Sequence, residues 1–258
     1  MVAVDCDGPA CVVGDPGQAL SFSRDMPFAR EQATREADAA VKALFDSGAQ
    51  RVIVWDNHGF GSNLVFDRLD PRCEVMLGTG FGRRFPGLDE SFSGVLMIGY
   101  HAMEGTPNAV LAHTYSPDAY RTIVVNGENV GEIALDASVA GELGVPLIFL
   151  SSDAQGCREG KSFMPWIETT VTKEGRGRNC AYSKHPAVVE REIYLAVKQA
   201  IVHIEEMKPF TFEKPALIEI FFKKAIQALR ARIRRNGWRL AGIKKIRASL
   251  PTMLDWRC

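Results

Sequence analysis

Apolar residues fall in short runs divided by polar, glycine-bearing stretches, and period-2 and helical patterns alternate along the chain. Val2 to Val4 run straight into Asp5 and predict a short buried strand that ends in a carboxylate. Residues 8–26 are rich in Gly, Pro, Ser and Asp and predict a long loop. From Pro27 to Ser47 the spacing of Phe28, Ala37, Val41, Leu44 and Phe45 predicts a helix with one buried stripe. Pro27 suits its first turn and Gly48 its stop. The β-branched run RVIVW (51–55) predicts a central strand, CEVML (73–77) a further strand and GVLMIGY (94–100) another buried one. VLAHTYS, which carries His113, predicts a short extended piece. RTIVV (121–125) predicts a strand entering a tight turn at Asn126-Gly127. A helix follows near 130–143 with Glu132 in its first turn, then the strand PLIFLSS (146–152). Val189, Ile193, Val197, Ile201 and Ile204 mark a long amphipathic helix over 186–206, and ALIEIFF predicts a strand that rejoins the sheet or builds a small second lobe.

Strands alternating with helices predict an α/β fold, a doubly wound and largely parallel sheet flanked by helices, with a small C-terminal lobe. Residues 1–207 are expected to form a metal-binding catalytic domain. Residues 208–258 form a basic segment or small lobe, whether or not it belongs to the same domain. In such sheets ligands bind beyond the carboxyl ends of the strands. Asp5, His58 and His101 each stand just after a predicted strand. If those strands are parallel neighbours, the three side chains reach one rim.

Asp5 and Asp7 stand two apart, and in extended chain such positions point to one side at about 7 Å separation. Carboxylates aimed at one point repel unless a cation or proton lies between them. Neutral imidazole supplies the nitrogen that zinc favours, and carboxylates supply bridging oxygens. Asp5, Asp7, His58, His101 and Glu132 would place three negative charges against two divalent ions, leaving a net positive site that polarises a carbonyl and acidifies water. Each residue alone also has a structural reading. Asp-x-Asp-Gly makes turns, a loop histidine hydrogen-bonds at a surface, and an acid in a first helical turn answers the helix dipole. It is the shared strand-end placement that favours a site. His185, before Pro186, and His203, on a long helix, lack that placement and keep the structural reading.

Composition changes this picture little. The 258 residues carry no net charge, which gives no whole-chain bias toward nucleic acid or anionic membrane. No apolar run approaches a membrane span, and MVAVDCDGPAC lacks the pattern of a secretory leader, so a cytoplasmic location is expected. The cysteines, at positions 6, 11, 73, 157, 180 and 258, include no CxxC pair and read as reduced thiols. Lys223 to Arg247 is a local exception to the charge balance, with ten basic residues and no acidic one. A basic amphipathic helix can bind anionic lipid or nucleic acid. A solvated face, or a contact with an acidic patch on another subunit, is the favoured reading.

The segments AVDCDG, DNHGFGSNL, IGYHAMEGTPNAVLAHTYS and NGENVGEIALDASVAG, in that order, resemble the zinc-dependent D-aminopeptidases of the DppA type over roughly residues 1–220. The resemblance implies an α/β metallohydrolase acting on short peptides with an N-terminal D-residue. It implies that Asp5 bridges two metal ions, that Asp7 and His101 bind the first ion and His58 and Glu132 the second, and that His113 is the catalytic residue beside them. It also implies two zinc ions and a ring-stacked homo-oligomer, down to a decameric ring, with sites facing an internal channel. The chain departs from the family pattern at Asp7, where glutamate is usual, and the match fades beyond about residue 222. AVDCDG is also similar to the opening motif of haloacid dehalogenase-type phosphatases, in which Asp5 would be the nucleophile, Asp7 the general acid/base and magnesium the cofactor. That alternative finds no later acidic pair to hold magnesium and leaves the strand-end histidines without a role.

Overall fold

In the computed structural model residues 1–257 are described. The chain runs β1 (Val2–Val4), α1 (Met26–Asp46), β2 (Ile53–Asp56), β3 (Glu74–Met76), β4 (Val95–Tyr100), β5 (Tyr120–Val125), β6 (Glu128–Val130) and α2 (Glu132–Gly141). It continues through β7 (Leu147–Ser152), α3 (Ala154–Phe163), β8 (Glu168–Val171), β9 (Lys173–Gly177), β10 (Cys180–Ser183) and α4 (Pro186–Val202). β11 (Ala216–Phe222), α5 (Ala225–Arg234), β12 (Arg239–Gly242) and β13 (Lys245–Leu250) complete it.

Six strands form a parallel sheet in the order β3-β2-β1-β4-β7-β8. The chain builds outward from β1 in one direction, then from β4 in the other, so the strand order reverses between β1 and β4. Such a reversal opens a crevice at the carboxyl ends of the strands. Both faces are covered, which is why the strands read as unbroken apolar runs. Val2, Val4, Val54, Leu96 and Ile98 pack toward α1 and α4, while Ala3, Trp55 and Met97 pack to the other side with α2 and the second sheet. That second sheet is antiparallel in the order β12-β13-β11-β5-β6. β11 thus pairs with β5, and the C-terminal strands share a sheet with residues 120–130.

The stripe on α1 is made largely of alanine, Ala29, Ala33, Ala37 and Ala40, with Val41 and Leu44, and lets the helix lie close to the sheet. Phe28, expected in that stripe, faces solvent. All ten residues of α2 are buried, as an element held between two sheets must be. The VLAHTYS segment is not extended. Leu111 and Tyr115 have φ of +52° and +54°, and the segment folds back as a loop between β4 and β5. The basic segment is divided among α5, β12 and β13 rather than forming one helix. Cys6, Cys11, Cys73, Cys157 and Cys180 are free thiols, and Cys258 lies outside the described residues. Among the described residues no helix is long and apolar enough to cross a membrane.

At the reversal point two chain segments cross at backbone contact. Asp5 N donates to Ile98 O (2.8 Å) and Gly8 N to Gly99 O (2.7 Å). Gly99 has φ +68°, and a Cβ there would lie 2.4 Å from Asp5 O; a Cβ on Gly8 would lie 2.0 Å from Tyr100 O. Only glycine permits this approach, which sets Asp5 and Asp7 against His101. Gly99→Ala is expected to cost at least about 2 kcal/mol, a fall of about 4 °C or more in the thermal midpoint. An unchanged midpoint in a calorimetric scan would show that the contact is not tight.

Candidate metal centre

β2, β1 and β4 are adjacent and parallel, so the residues that follow them emerge at one edge. His58 Nδ1 lies 2.7 Å from Asp5 Oδ1 and 3.2 Å from Asp7 Oδ2. His101 Nε2 lies 3.4 Å from Asp5 Oδ2 and 3.2 Å from Glu132 Oε1. Asp5 therefore faces the two imidazoles with one oxygen each. Glu132 arrives from the first residue of α2, where the helix dipole favours a negative charge. His113 stacks on His101 with ring centroids 3.8 Å apart and an interplanar angle of 13°. Its Nε2 lies 4.0 Å from Glu132 Oε1. All six residues singled out in the sequence line one cavity of about 210 Å³. His185 and His203 lie elsewhere: His185 caps α4 through Ala187 N, and His203 faces Glu206.

Backbone and hydroxyl partners orient each ring. Carbonyls only accept, so His101 Nδ1 donates to Ala102 O (3.0 Å) and His113 Nδ1 donates to Leu111 O (2.8 Å). This turns both Nε2 atoms toward the carboxylates. His58 is reversed, with Nε2 against Ser21 Oγ (3.0 Å) and Nδ1 toward the acids. Loop 57–64 is tied by Asp56, whose carboxylate accepts from Leu64 N (2.9 Å) and Asn63 Nδ2 (2.8 Å). The loop bearing His113 is pinned by Asp153, which accepts from Val110 N (2.7 Å), and by Glu159, which accepts from Met103 N (2.7 Å). Beneath the site the buried Lys173 donates to Asp7 O (2.8 Å) and Pro9 O (2.7 Å). Burial lowers its pKa to about 8, against the opposing pull of Asp153, Glu36 and Asp7.

The wall opposite Asp5 is a second network. Asp136, one turn beyond Glu132 on α2, is fully buried. It accepts from Arg84 Nε (2.8 Å) and Nη2 (2.6 Å), from Tyr115 OH (2.9 Å) and from Tyr100 OH (3.0 Å). Arg84 lies over the rings of Trp55 and Tyr115. Sequence reasoning missed Arg84, Asp136, Lys173 and Ser21. Only Asp136 carried a signal, as a second acid four residues after Glu132 on an otherwise apolar helix.

The donor set fits divalent metal. Asp7 Oδ2 and His101 Nε2 are buried with no hydrogen-bond partner among the described residues, in a cavity that already holds three carboxylates. Ligand atoms of Asp5, Asp7 and His58, and those of Asp7, His101 and His113, form two groups, each within 4.8 Å. Without a cation, protons take its place. Burial would lower the pKa of His101, but Glu132 and then Asp5 and Asp7 raise it to about 10. Burial works the same way on His58, and the hydrogen bond to Asp5 and the nearby charge of Asp7 carry it well above the ordinary imidazole value. Burial would raise Glu132 and Asp7, yet Glu132 is drawn down to about 2 by His101, and Asp7 is held below the carboxylate range by His58. His113 behaves oppositely: burial and the charge of His101 lower its pKa, so it is neutral at neutral pH.

The family model for D-aminopeptidases matches residues 1–256. The chain belongs to the D-aminopeptidase family. It is an enzyme of the metal-dependent aminopeptidase class. A D-aminopeptidase of Bacillus subtilis (strain 168) is 29% identical over 232 residues, which cover 88% of this chain and 82% of the relative. The solved structure of the Zn-dependent D-aminopeptidase DppA from Bacillus subtilis, a self-compartmentalizing protease, superposes with a TM-score of 0.89 at 27% identity, covering 99% of this chain and 93% of that one. The match does not fade after residue 222: family likeness extends through the C-terminal strands. The phosphatase alternative is not favoured, since the whole chain follows a peptidase family.

Two outcomes follow from this geometry. A metal ion bound by His58 and His101 would have to displace their protons, since both pKa values are raised in the metal-free protein. Zinc affinity should therefore rise with pH between 6 and 9, with proton release measurable by calorimetry in buffers of different ionisation enthalpy; binding with no linked protons would contradict the assignment. Lys173→Met would strand two buried carbonyls and is expected to destabilise the fold by about 2–4 kcal/mol. A denaturant midpoint equal to that of the native chain would refute the role given to Lys173.

Proposed function

We propose that the chain removes the N-terminal residue from short peptides, with preference for a D-residue, at a centre of two zinc ions held by Asp5, Asp7, His58, His101 and Glu132. The observation that carries this reading is the convergence of these five side chains in one buried cavity, two of them with unpartnered ligand atoms. Asp5 is suited to bridge, with an oxygen toward each imidazole. The ions would supply Lewis acidity, placing positive charge at the scissile carbonyl and lowering the pKa of water toward ~7.

The chain's own residues divide the remaining work. His113 is neutral, carries its hydrogen on Nδ1 and presents a bare Nε2 to the cavity. It accepts the proton from the attacking water there and returns it to the leaving amine. Stacking on His101 fixes its plane, and the Leu111 carbonyl fixes its tautomer. The substrate's free amino group sits among the carboxylates of the floor. Arg84, clamped by Asp136, stiffens the wall, and its charge also favours the ionised form of Glu132. Preference for a D-residue rests on family likeness, as do a homo-oligomeric, decameric ring assembly and a cytoplasmic location. The self-compartmentalizing relative and the absence of a spanning helix among the described residues support these.

His113→Ala is expected to retain metal and to lose about 10²- to 10⁴-fold in kcat on a D-alanyl anilide. Equal turnover in the variant would remove His113 from the mechanism. Cleavage of the L-alanyl anilide at the higher rate would refute the stereochemical part of the reading alone.

A further inference from the structure

Between β4 and β5 the chain makes one long excursion, residues 101–119, with no strand or helix in it. Connections of that length inside a compact domain are uncommon and tend to carry function. This one begins with His101 and bears His113 in its second half, and the two rings stack 3.8 Å apart. Its first limb is anchored from the parallel sheet: Met103 N donates to Glu159, and Val110 N to Asp153. His113 N donates to Ala102 O (3.2 Å) and draws the limbs together at the rings. The limb after His113 has another anchor.

Pro117, Asp118 and Ala119 offer three consecutive carbonyls, and the junction of β11 and α5 meets all of them. Lys223 Nζ donates to Pro117 O (2.6 Å), Gln227 Nε2 to Asp118 O (3.0 Å) and Lys223 N to Ala119 O (2.9 Å). The same ammonium lies 3.0 Å from Glu104 Oε1. Glu104 stands three residues after His101, and its N donates to Thr114 Oγ1 (3.3 Å), beside His113. Its other oxygen, Oε2, is buried with no hydrogen-bond partner among the described residues, so Lys223 is what balances its charge. Pro117 and Tyr115 line the cavity, and Tyr115 N donates to Glu132. One cation of the C-terminal basic segment therefore joins both limbs, one on each side of the stacked rings.

We propose that Lys223 is a positioning residue for His113: by joining Glu104 to the Pro117 carbonyl, its ammonium fixes the limbs of the excursion against each other and holds His113 in its stack on His101. The inference rests on the reading of His113 as the proton-transfer group. An ammonium has three donors and no acceptor, so it can serve a carboxylate and a carbonyl at once. Without it, Glu104 is a half-buried charge with no counter-ion and Pro117 O loses its donor. The limb that follows His113 is then free to shift. A displacement of about 1 Å at a group that must meet the reacting atoms can cost about 100-fold in rate. His101 follows a central strand and is held through its own backbone contact, so metal binding does not depend on Lys223. The C-terminal lobe thus acts on the site from outside the cavity.

The test measures kcat and KM on a D-alanyl anilide, with zinc content, for the native chain, Lys223→Met, Lys223→Arg, Glu104→Gln and the double variant Lys223→Met/Glu104→Gln. Lys223→Met should keep its zinc and lose about 10- to 100-fold in kcat, with KM changed by no more than about 2-fold. Lys223→Arg should recover part of the loss. The double variant should lose little more than either single one, since both remove one link. Arg230→Ala, on the exposed face of α5, should match the native chain and shows that loss of basic charge alone is not the cause. Nuclear magnetic resonance of the histidine rings in zinc-loaded protein reads position without turnover. In Lys223→Met the His113 signals should move while those of His185 and His203 stay. Unmoved His113 signals, or native kcat in a variant whose thermal midpoint alone has fallen, would overturn the proposal. Should Lys223→Met not fold, Glu104→Gln decides by the same two readings. Failure of the native holoenzyme to cleave any alanyl anilide would overturn the aminopeptidase reading, and the resonance comparison would still judge Lys223.

Discussion

Three carboxylates are buried together at the carboxyl edge of a parallel sheet, and that concentration of negative charge governs the rest of the site. Asp5, Asp7 and Glu132 are each less than a tenth exposed. Charges so placed repel strongly and are tolerated only when compensated. In the metal-free chain the compensation is a pair of protonated imidazoles, His58 and His101, which explains why both resist deprotonation despite burial. Lys173 adds a buried cation beneath the loop that bears Asp7, and the N-terminus of α2 adds a dipole behind Glu132. Divalent cations would meet the same demand and release the protons.

The fold serves this constraint by topology. Asp5 and His101 straddle the point where strand order reverses, and His58 follows the neighbouring strand on the other side of β1. Strand ends thus set the candidate ligands, while a pinned loop supplies His113. The second sheet and α2 close the wall through Asp136, Arg84 and Tyr115, a buried network in which Asp136 accepts from the guanidinium and the phenol. In the proposed centre the metal ligands would sit mainly at strand ends and the proton-transfer group on a loop that hydrogen bonds hold in place.

Much of this was legible in the sequence, for physical reasons. Strands buried on both faces are continuous apolar runs, so RVIVW, GVLMIGY and PLIFLSS stood out, and a polar residue ending such a run marks the sheet edge. All six candidate residues, from Asp5 to Glu132, were found by that rule or by family likeness, and they meet in one cavity. The short strands β8, β9, β10, β12 and β13 and the helix α3 were not legible, because AQGCREGKSF has few apolar residues to set a period and the hairpin strands are largely exposed. The extended reading of VLAHTYS failed because its backbone N–H groups donate to Asp153 and to the Arg178 carbonyl, both remote in sequence, and these bonds override local propensity. Arg84 and Lys173 were invisible for the same reason: a lone basic residue acquires meaning only from the distant groups it faces.

The most direct test of the central claim is the divalent-metal content of the folded protein after zinc loading and removal of free ions, measured by elemental analysis alongside the Asp5→Asn variant. About two zinc ions per native chain are expected, and loss of both in the variant, since Asp5 faces both imidazoles. A native chain that is folded by circular dichroism and yet retains no divalent ion would contradict the claim.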